Sequence, residues 1–138
     1  MQRLMTSAAV LVLGCTLFTG CGSPEINFDD LVEREGVYYE KFTHEPFSGK
    51  VKGQSAGSLR KGKKDGIWRH YFEAGGLRSE DSYKGGVEHG PVTEWHENGN
   101  KRWEGTFKDG KLHGLWTLYD QDGSVNSQGT WGNEKEVP

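Results

Sequence analysis

Glycine recurs at a spacing of 24 residues, and this regularity constrains the fold more than any other feature of the sequence. Aromatic residues keep the same spacing, as Tyr71, Trp95 and Tyr119 show. A constant period of this kind is typical of repeat proteins, in which each unit is one supersecondary element. The glycine columns are Gly62, Gly86 and Gly110; Gly66, Gly90 and Gly114; Gly75, Gly99 and Gly123; and Gly105 with Gly129.

Each unit has the sequence pattern of a β-hairpin. An apolar and aromatic run such as residues 67–72 leads into a turn at residues 73–76, and equivalent turns follow at 97–100 and 121–124. Asn-Gly and Asp-Gly between strand-like runs indicate hairpin turns, because these turns need positive φ. Glycine every few residues interrupts the 3.6-residue apolar spacing that an amphipathic helix needs, so no helix is predicted. The sequence therefore predicts an all-β fold, an elongated antiparallel meander of repeated β-hairpins in 24-residue units over residues 35–133.

Side-chain alternation assigns one buried and one solvated face to this meander. Gly105 and Gly129 fall on the buried face, where they leave room for a ring from a neighbouring strand. Trp68 and Tyr71 are predicted in one strand but point to opposite faces. Either that strand bends or both faces are partly covered, and the sequence leaves both alternatives open.

The period decays towards the N-terminus. Residues 37–41 and 46–51 have the pattern of an opening hairpin around Thr43–Glu45. Residues 21–34 are acidic and mostly polar, which predicts a tether, and residues 134–138 are expected to form a frayed tail. Atypical terminal units are common in repeat arrays because they cap the sheet.

Residues 1–20 have the features of a lipoprotein signal peptide. Arg3 precedes an apolar stretch that is too short and too interrupted for a transmembrane helix. Small residues before Cys21 resemble the lipobox of bacterial lipoproteins, which implies cleavage before Cys21 and attachment of lipid to it. Cys15 is the alternative acceptor, but it leaves a shorter apolar run. A retained anchor or an ordinary secretory signal without lipid would also have an apolar segment of this kind.

The residue after the cysteine bears on location. Gly22 stands where lipoproteins kept on the inner membrane often have aspartate. By that resemblance, the expected location is the bacterial cell envelope, at the outer membrane and facing the periplasm.

Composition and motifs exclude several classes of function. The formal net charge is -3 and the pI about 5.9, so the chain has no basic footprint for nucleic acid. The histidines lack the short spacings of metal ligands, and His89 and His113 occupy the same position in successive units. No phosphate-binding loop or nucleophile elbow is recognisable. We therefore expect no cofactor, no metal and no catalytic residues, since a small open sheet also offers few enclosed sites.

The aromatic residues are the strongest candidates for a binding role. They suit a stacking platform for glycan strands or a contact face for protein, and the alternative is that they form the core. Trp103 is the best exception to the core interpretation, because its column otherwise holds Ser79 and Ser127. The candidate interaction residues are Trp68, Tyr71, Trp95, Trp103, Trp116 and Tyr119.

A family resemblance rests on the phrases at residues 83–90 and 107–116, which resemble MORN repeats of the bacterial variant type. Residues 34–39 and 46–51 resemble the start of YwqK antitoxin-type proteins. The resemblance extends over roughly residues 35–131. It implies successive β-hairpins in a twisted single sheet, and roles in scaffolding, protein contact and phospholipid association.

These observations lead to one expected function and two alternatives. We expect a lipid-anchored envelope protein whose repeat body is an interaction or scaffold module, held to the membrane through Cys21 and contacting a protein partner. The first alternative is a periplasmic binding or enzymatic module that acts on peptidoglycan glycan or phospholipid. The second alternative is an antitoxin-type immunity protein.

Overall fold

The structure is a computed structural model that describes residues 22–132 and the backbone of residues 135–136. The signal peptide expected over residues 1–20, with Cys15, and the lipid acceptor Cys21 lie outside the described residues. The described chain forms strands and one 3-10 turn, Phe28–Asp30, and contains no α-helix. The strands are β1 (Glu25–Asn27), β2 (Leu31–Arg34), β3 (Val37–Glu40), β4 (Gly49–Lys52), β5 (Ser55–Arg60), β6 (Lys63–Lys64), β7 (Gly66–Tyr71), β8 (Leu77–Lys84), β9 (Val87–Trp95), β10 (Lys101–Lys108), β11 (Lys111–Tyr119), β12 (Val125–Gly132) and β13 (Lys135–Glu136).

Most strands belong to one large sheet. Its order is β1-β4-β5-β7-β8-β9-β10-β11-β12-β13, with β6 paired to β5. From β7 to β13 each strand pairs antiparallel with the next strand in the sequence. Strands β2 and β3 form a separate antiparallel pair. The predicted all-β meander of hairpins is therefore confirmed.

Backbone torsion angles explain three of the four glycine columns. Gly75, Gly99 and Gly123 lie in the turns that join β7 to β8, β9 to β10 and β11 to β12, with φ of +90°, +87° and +87°. Side chains other than glycine are strained in this region. Glycines of the Gly62 and Gly66 columns also have positive φ, between +70° and +115°. In these three columns the 24-residue period is therefore a repeat of positive-φ backbone geometry, in turns and also within strands β9 and β11.

The fourth glycine column makes room for indole rings. A Cβ added at Gly105 would lie 2.7 Å from Trp116 Cε3, well inside van der Waals contact. Gly57 lies two 24-residue periods before Gly105, so it falls in the same column. It lies beneath Trp68, where an added Cβ would be 2.5 Å from Cδ2. The prediction that Gly105 accommodates a ring from a neighbouring strand is confirmed, with Trp116 as that ring.

Both faces of β7 are partly covered, because Trp68 is buried and Tyr71, on the opposite face, is half-buried. Trp68 pairs with Asp81 across β7 and β8, whereas Tyr71 pairs with Leu77 after a register shift. The bulged strand is β8, opposite the step from His70 to Tyr71. Arg78 is the extra residue opposite the shift, and the same irregularity recurs in the two following hairpins.

An N-terminal cap, which we define as residues 25–40, covers the first repeat. Trp68 is fully buried and forms a core with Leu31, Val51 and Leu59. Leu31 comes from the cap, so the cap and the repeat sheet share one core. The partly buried residues packed against it are Ile26, Phe28, Tyr38, Phe47 and Tyr83.

The N-terminal residues differ from the expected tether. Within residues 21–34, β1 pairs in parallel with β4 at the edge of the large sheet, and β2 pairs with β3. The reason is the burial of a few isolated apolar side chains, with Leu31 in the core and Ile26 and Phe28 packed against it. At the other terminus, within the predicted frayed tail 134–138, the backbone of β13 pairs with β12.

The opening hairpin predicted from residues 37–41 and 46–51 is wrong in its pairing. Strand β3 pairs with β2 along its whole length, and it meets the second run only at an isolated bridge between Tyr39 and Pro46. Strand β4, within that second run, pairs with β5 and β1. Pro46 lacks the N–H that a longer ladder would need.

Candidate functional site

The structure divides the six predicted interaction residues into buried and half-buried rings. Trp68 and Trp116 are buried, so their assignment to an interaction surface is corrected: both belong to the interior. Burial follows from their position over Gly57 and Gly105, where the indole lies flat against a neighbouring strand. The half-buried rings are Tyr71, Trp95, Trp103 and Tyr119.

Trp103, although half-buried, packs against the buried Trp116. Its ring stacks on Trp116 with centroids 5.5 Å apart, while Phe107 meets Trp116 edge-on at 5.1 Å. Trp103 therefore covers Trp116. The two buried indoles also differ in hydrogen bonding, since Trp68 Nε1 donates to the Ser58 carbonyl at 3.0 Å and Trp116 Nε1 has no partner within the described chain.

The other three rings form a column along one edge of the sheet. Tyr71, Trp95 and Tyr119 end strands β7, β9 and β11, immediately before the hairpin turns. They are one repeat apart, so each repeat contributes one ring to this edge. Adjacent strands are about 4.8 Å apart, and consecutive rings of the column are separated by two such spacings, about 10 Å.

The recurring β-bulge places arginines beside these rings. Arg78 and Arg102 are the extra residues at the bulges that follow the first and second turns, and Asn126 is the third. Bulges commonly redirect a side chain out of the regular alternation. Sequence analysis missed these arginines, although their 24-residue spacing was a visible signal.

Rings, arginines and turns together line a groove, which we call the turn-edge groove. It consists of two adjoining hollows of about 870 and about 400 Å³. The first is lined by Tyr71 and Glu73, and the second by Trp95 and Arg102; Arg78 and Glu97 line both. The same column positions therefore recur in successive hollows.

The two arginines of the groove differ in their partners. Arg102 forms an ion pair with Glu94. The equivalent of Glu94 one repeat earlier is His70, and no hydrogen bond or ion pair engages Arg78 within the described part of the chain. Arg78 is also exposed. Its guanidinium is thus available to a ligand in the groove, with five N–H donors in a planar fork.

Hydrogen bonds between successive turns support the second hollow. Asn98 and Asn100 each donate a side-chain amide hydrogen to the Gln121 carbonyl, both at 2.7 Å. His96 Nε2 lies 3.3 Å from the Tyr119 carbonyl oxygen. These contacts fix the spacing of the second and third repeats, so the wall of the second hollow is held by the fold.

A second cluster of polar side chains lies under the cap and serves the fold. Lys64 Nζ is 4.8 Å from the Trp68 ring centroid and 4.7 Å from that of Tyr83, a cation–π arrangement. Burial lowers the pKa of Lys64, although the negative charge of Asp81 opposes this change. Burial, with a smaller effect of Asp81, raises the pKa of Tyr83 to about 12. These groups hold a cation between two rings at the junction of cap and repeats.

Ser55, His70 and Asp81 follow one another in the order of an acyl-transfer relay. Ser55 Oγ lies 2.7 Å from His70 Nδ1, and burial together with the positive charge of Lys64 lowers the pKa of His70. Asp81 Oδ2, however, is 3.6 Å from His70 Nε2 and accepts a hydrogen bond from Ser79 at 2.9 Å. The imidazole therefore lacks the close carboxylate that orients the base in such relays.

The described residues contain neither a cluster of potential metal ligands nor a helix that could span a membrane. There, no group of three or more His, Cys, Asp or Glu side chains converges as metal ligands do. No helix among the described residues is long and apolar enough to cross a membrane.

Comparison with known proteins identifies the repeats. Residues 64–84, 88–109 and 112–133 each match the family model described as MORN repeat variant. Each match coincides with one hairpin: β7–β8, β9–β10 or β11–β12. No curated protein and no solved structure matches the chain significantly. MORN repeats are commonly interaction or scaffold modules. With three consecutive repeats over about half of its length, the chain belongs to the MORN repeat variant family.

Proposed function

We propose that the protein is a lipid-anchored envelope protein that acts as an interaction scaffold, with the turn-edge groove as its contact surface. The observation that carries this proposal is the groove itself, where rings, arginines and glutamates recur in two adjoining hollows. Concave surfaces with aromatic walls and a few convergent polar groups are the usual form of binding sites.

The backbone beside the groove suits a scaffold. The second and third turns are joined by hydrogen bonds, and at the opposite edge Gly86 N donates to the Lys64 carbonyl and Gly110 N to the Glu88 carbonyl, both at 2.8 Å. A surface fixed in this way loses little conformational entropy when a partner binds.

The proposed anchor is lipid on Cys21, after removal of residues 1–20, in the outer membrane and facing the periplasm. The fold supports a short connection, because Lys50 N donates to the Pro24 carbonyl at 2.8 Å and β1 begins at Glu25. Three residues beyond Cys21 span at most about 11 Å. A lipid on Cys21 therefore holds the sheet close to the bilayer surface.

The proposal contains no catalytic step. Its support is the geometry around Ser55 and His70, where Asp81 is 3.6 Å from the imidazole and bonded to Ser79. Binding of a partner without a chemical reaction requires only the turn-edge groove and no catalytic group.

Photo-crosslinking tests the contact surface. A photoreactive phenylalanine analogue at Glu97, in the groove, is expected to crosslink an envelope component in living cells. The matched control is the same analogue at Lys84, an exposed position at the end of β8 that lies away from the groove, and it should give no such product. Equal products from both positions, or none from Glu97, would contradict the groove as the contact surface.

Substitution of the lipid acceptor tests the anchor. We expect Cys21→Ser to abolish lipid attachment and to move the protein from the membrane fraction to the soluble periplasmic fraction, since no acyl chain then inserts in the bilayer. Metabolic labelling with an alkyne fatty acid and cell fractionation measure both effects, with Cys15→Ser as the control that keeps its label. Normal processing and membrane retention of Cys21→Ser would rule out this anchor.

A further inference from the structure

We propose that the turn-edge groove binds an extended β-1,4-linked glycan of neutral sugars, with one disaccharide in each hollow. This inference rests on the proposed function, because it names the occupant of that contact surface.

The rings of the groove suit the apolar faces of sugars. Tyr71 lines the first hollow and Trp95 the second, and both rings are half-buried, so part of each ring remains exposed. The C–H face of a pyranose packs on an aromatic ring and leaves its equatorial hydroxyls at the rim. Rigid amphipathic rings bind such faces at low conformational cost.

The spacing of the rings favours a regular, extended polymer. Tyr71 and Trp95 end strands that are separated by β8, so they lie two strand spacings apart, about 10 Å. In an extended β-1,4-linked chain this is close to the length of one disaccharide. Every second sugar then presents the same face to the next ring of the column.

The polar lining indicates sugars without net charge. Arg78 offers donors that no side chain of the described residues occupies, while Glu73 and Glu97 offer acceptors. Hydroxyl groups both donate and accept, so they satisfy this mixture. A polyanion would be repelled by the two carboxylates, and the ammonium groups of a polycation would offer no acceptor to the donors of Arg78. The Arg102–Glu94 ion pair beside them is already neutral.

The third repeat sets the length of the site. At its column positions Arg102 is followed by Asn126 and Glu97 by Gln121, so the charged pattern ends there. The Tyr119 hydroxyl is also engaged, because it donates to Glu104. Two complete hollows therefore accommodate a tetrasaccharide.

Calorimetric titration of the full chain in detergent tests this assignment. The probes are the dimer and tetramer of β-1,4-linked N-acetylglucosamine, with maltotetraose, whose α-1,4 linkage curls the chain, as the control. We expect the tetramer to bind at least about tenfold more tightly than the dimer, because it fills both hollows, and maltotetraose not to bind. Equal affinity for the dimer and tetramer, or for maltotetraose, would overturn the two-hollow assignment.

Variants locate the binding in the groove. Trp95→Ala and Arg78→Ala should each weaken tetramer binding by about tenfold, as truncation of a central contact does. Phe42→Ala and Arg60→Ala replace an exposed ring and an exposed arginine outside the groove and should leave binding unchanged. Arg78 is exposed, so its variant is expected to fold normally. Unchanged binding in both groove variants would overturn the proposal.

The crosslinking experiment separates the two proposals. If Glu97 crosslinks a protein while no oligosaccharide binds, the glycan assignment is wrong and the scaffold function stands. If neither crosslinking nor oligosaccharide binding occurs, the groove is not a contact surface and both proposals are wrong.

Discussion

Replacing Trp68 by alanine is expected to lower the free energy of unfolding by about 3–5 kcal/mol, the usual cost of truncating a buried large ring. The ring is fully buried and meets Phe28 of the cap edge-on at a centroid distance of 6.3 Å. Its loss leaves a cavity between cap and sheet, removes the hydrogen bond to the Ser58 carbonyl and leaves Lys64 with one of its two ring partners, Tyr83. Urea unfolding followed by circular dichroism measures the change.

Trp95→Ala is the matched control for Trp68→Ala. Trp95 also lies in a strand, but its ring is half-buried at the turn edge. We therefore expect Trp95→Ala to lower the free energy of unfolding by less than half as much as Trp68→Ala. The slope of the unfolding curve reports whether the variants still unfold in one transition. If Trp68→Ala costs no more than Trp95→Ala, then the cap and the repeats do not share a core.

The repeat sheet was predictable because the geometry of each turn is determined by the few residues that form it. A glycine with positive φ at a hairpin turn has few substitutes, so the Gly75 column marks the turns by itself. Alternation then assigned Gly105 to the buried face, and the register agrees, since Gly105 pairs with the buried Val92. No long-range information was needed for these elements.

The cap was not predictable because its stabilisation comes from distant residues. Ile26, Phe28 and Leu31 are isolated apolar residues in a polar and acidic segment, and their composition is that of a tether. They order only because Trp68 and Leu59, far along the chain, provide apolar surface for them. The parallel pairing of β1 with β4 likewise joins segments that local patterns do not connect.

The groove was partly predictable. The column of Tyr71, Trp95 and Tyr119 was recognised, but the burial of Trp68 and Trp116 depends on their packing over Gly57 and Gly105 of neighbouring strands. Alternation puts Trp68 and Tyr71 on opposite faces but does not tell which of the two rings is enclosed. The arginines of the groove escaped notice because a regular strand would place Arg78 on the solvated face with Glu80, whereas Arg78 is the extra residue of a bulge.

Replacing Gly105 by alanine is expected to lower the free energy of unfolding by about 3 kcal/mol, at the upper end of the cost of overpacking. The added Cβ would lie 2.7 Å from Trp116 Cε3, and the clashing atoms belong to a rigid ring. Trp116 is stacked on Trp103 and held edge-on by Phe107, so it has little room to retreat. The backbone of β10 or β11 must therefore shift. Thermal and urea unfolding measure the loss, and near-ultraviolet circular dichroism reports the displaced indole.

Gly76→Ala is the control that separates overpacking from the general effect of replacing glycine. Gly76 does not have positive φ, and its added Cβ would meet Phe72 Cδ2 at 3.7 Å, an ordinary van der Waals distance. We expect this variant to stay within about 0.5 kcal/mol of the wild type, as surface substitutions usually do. Equal stability of Gly105→Ala and Gly76→Ala would mean that Trp116 does not rest on Gly105. The packing of a ring over glycine, which also accounts for Gly57 beneath Trp68, would then fail as the reason for the fourth column.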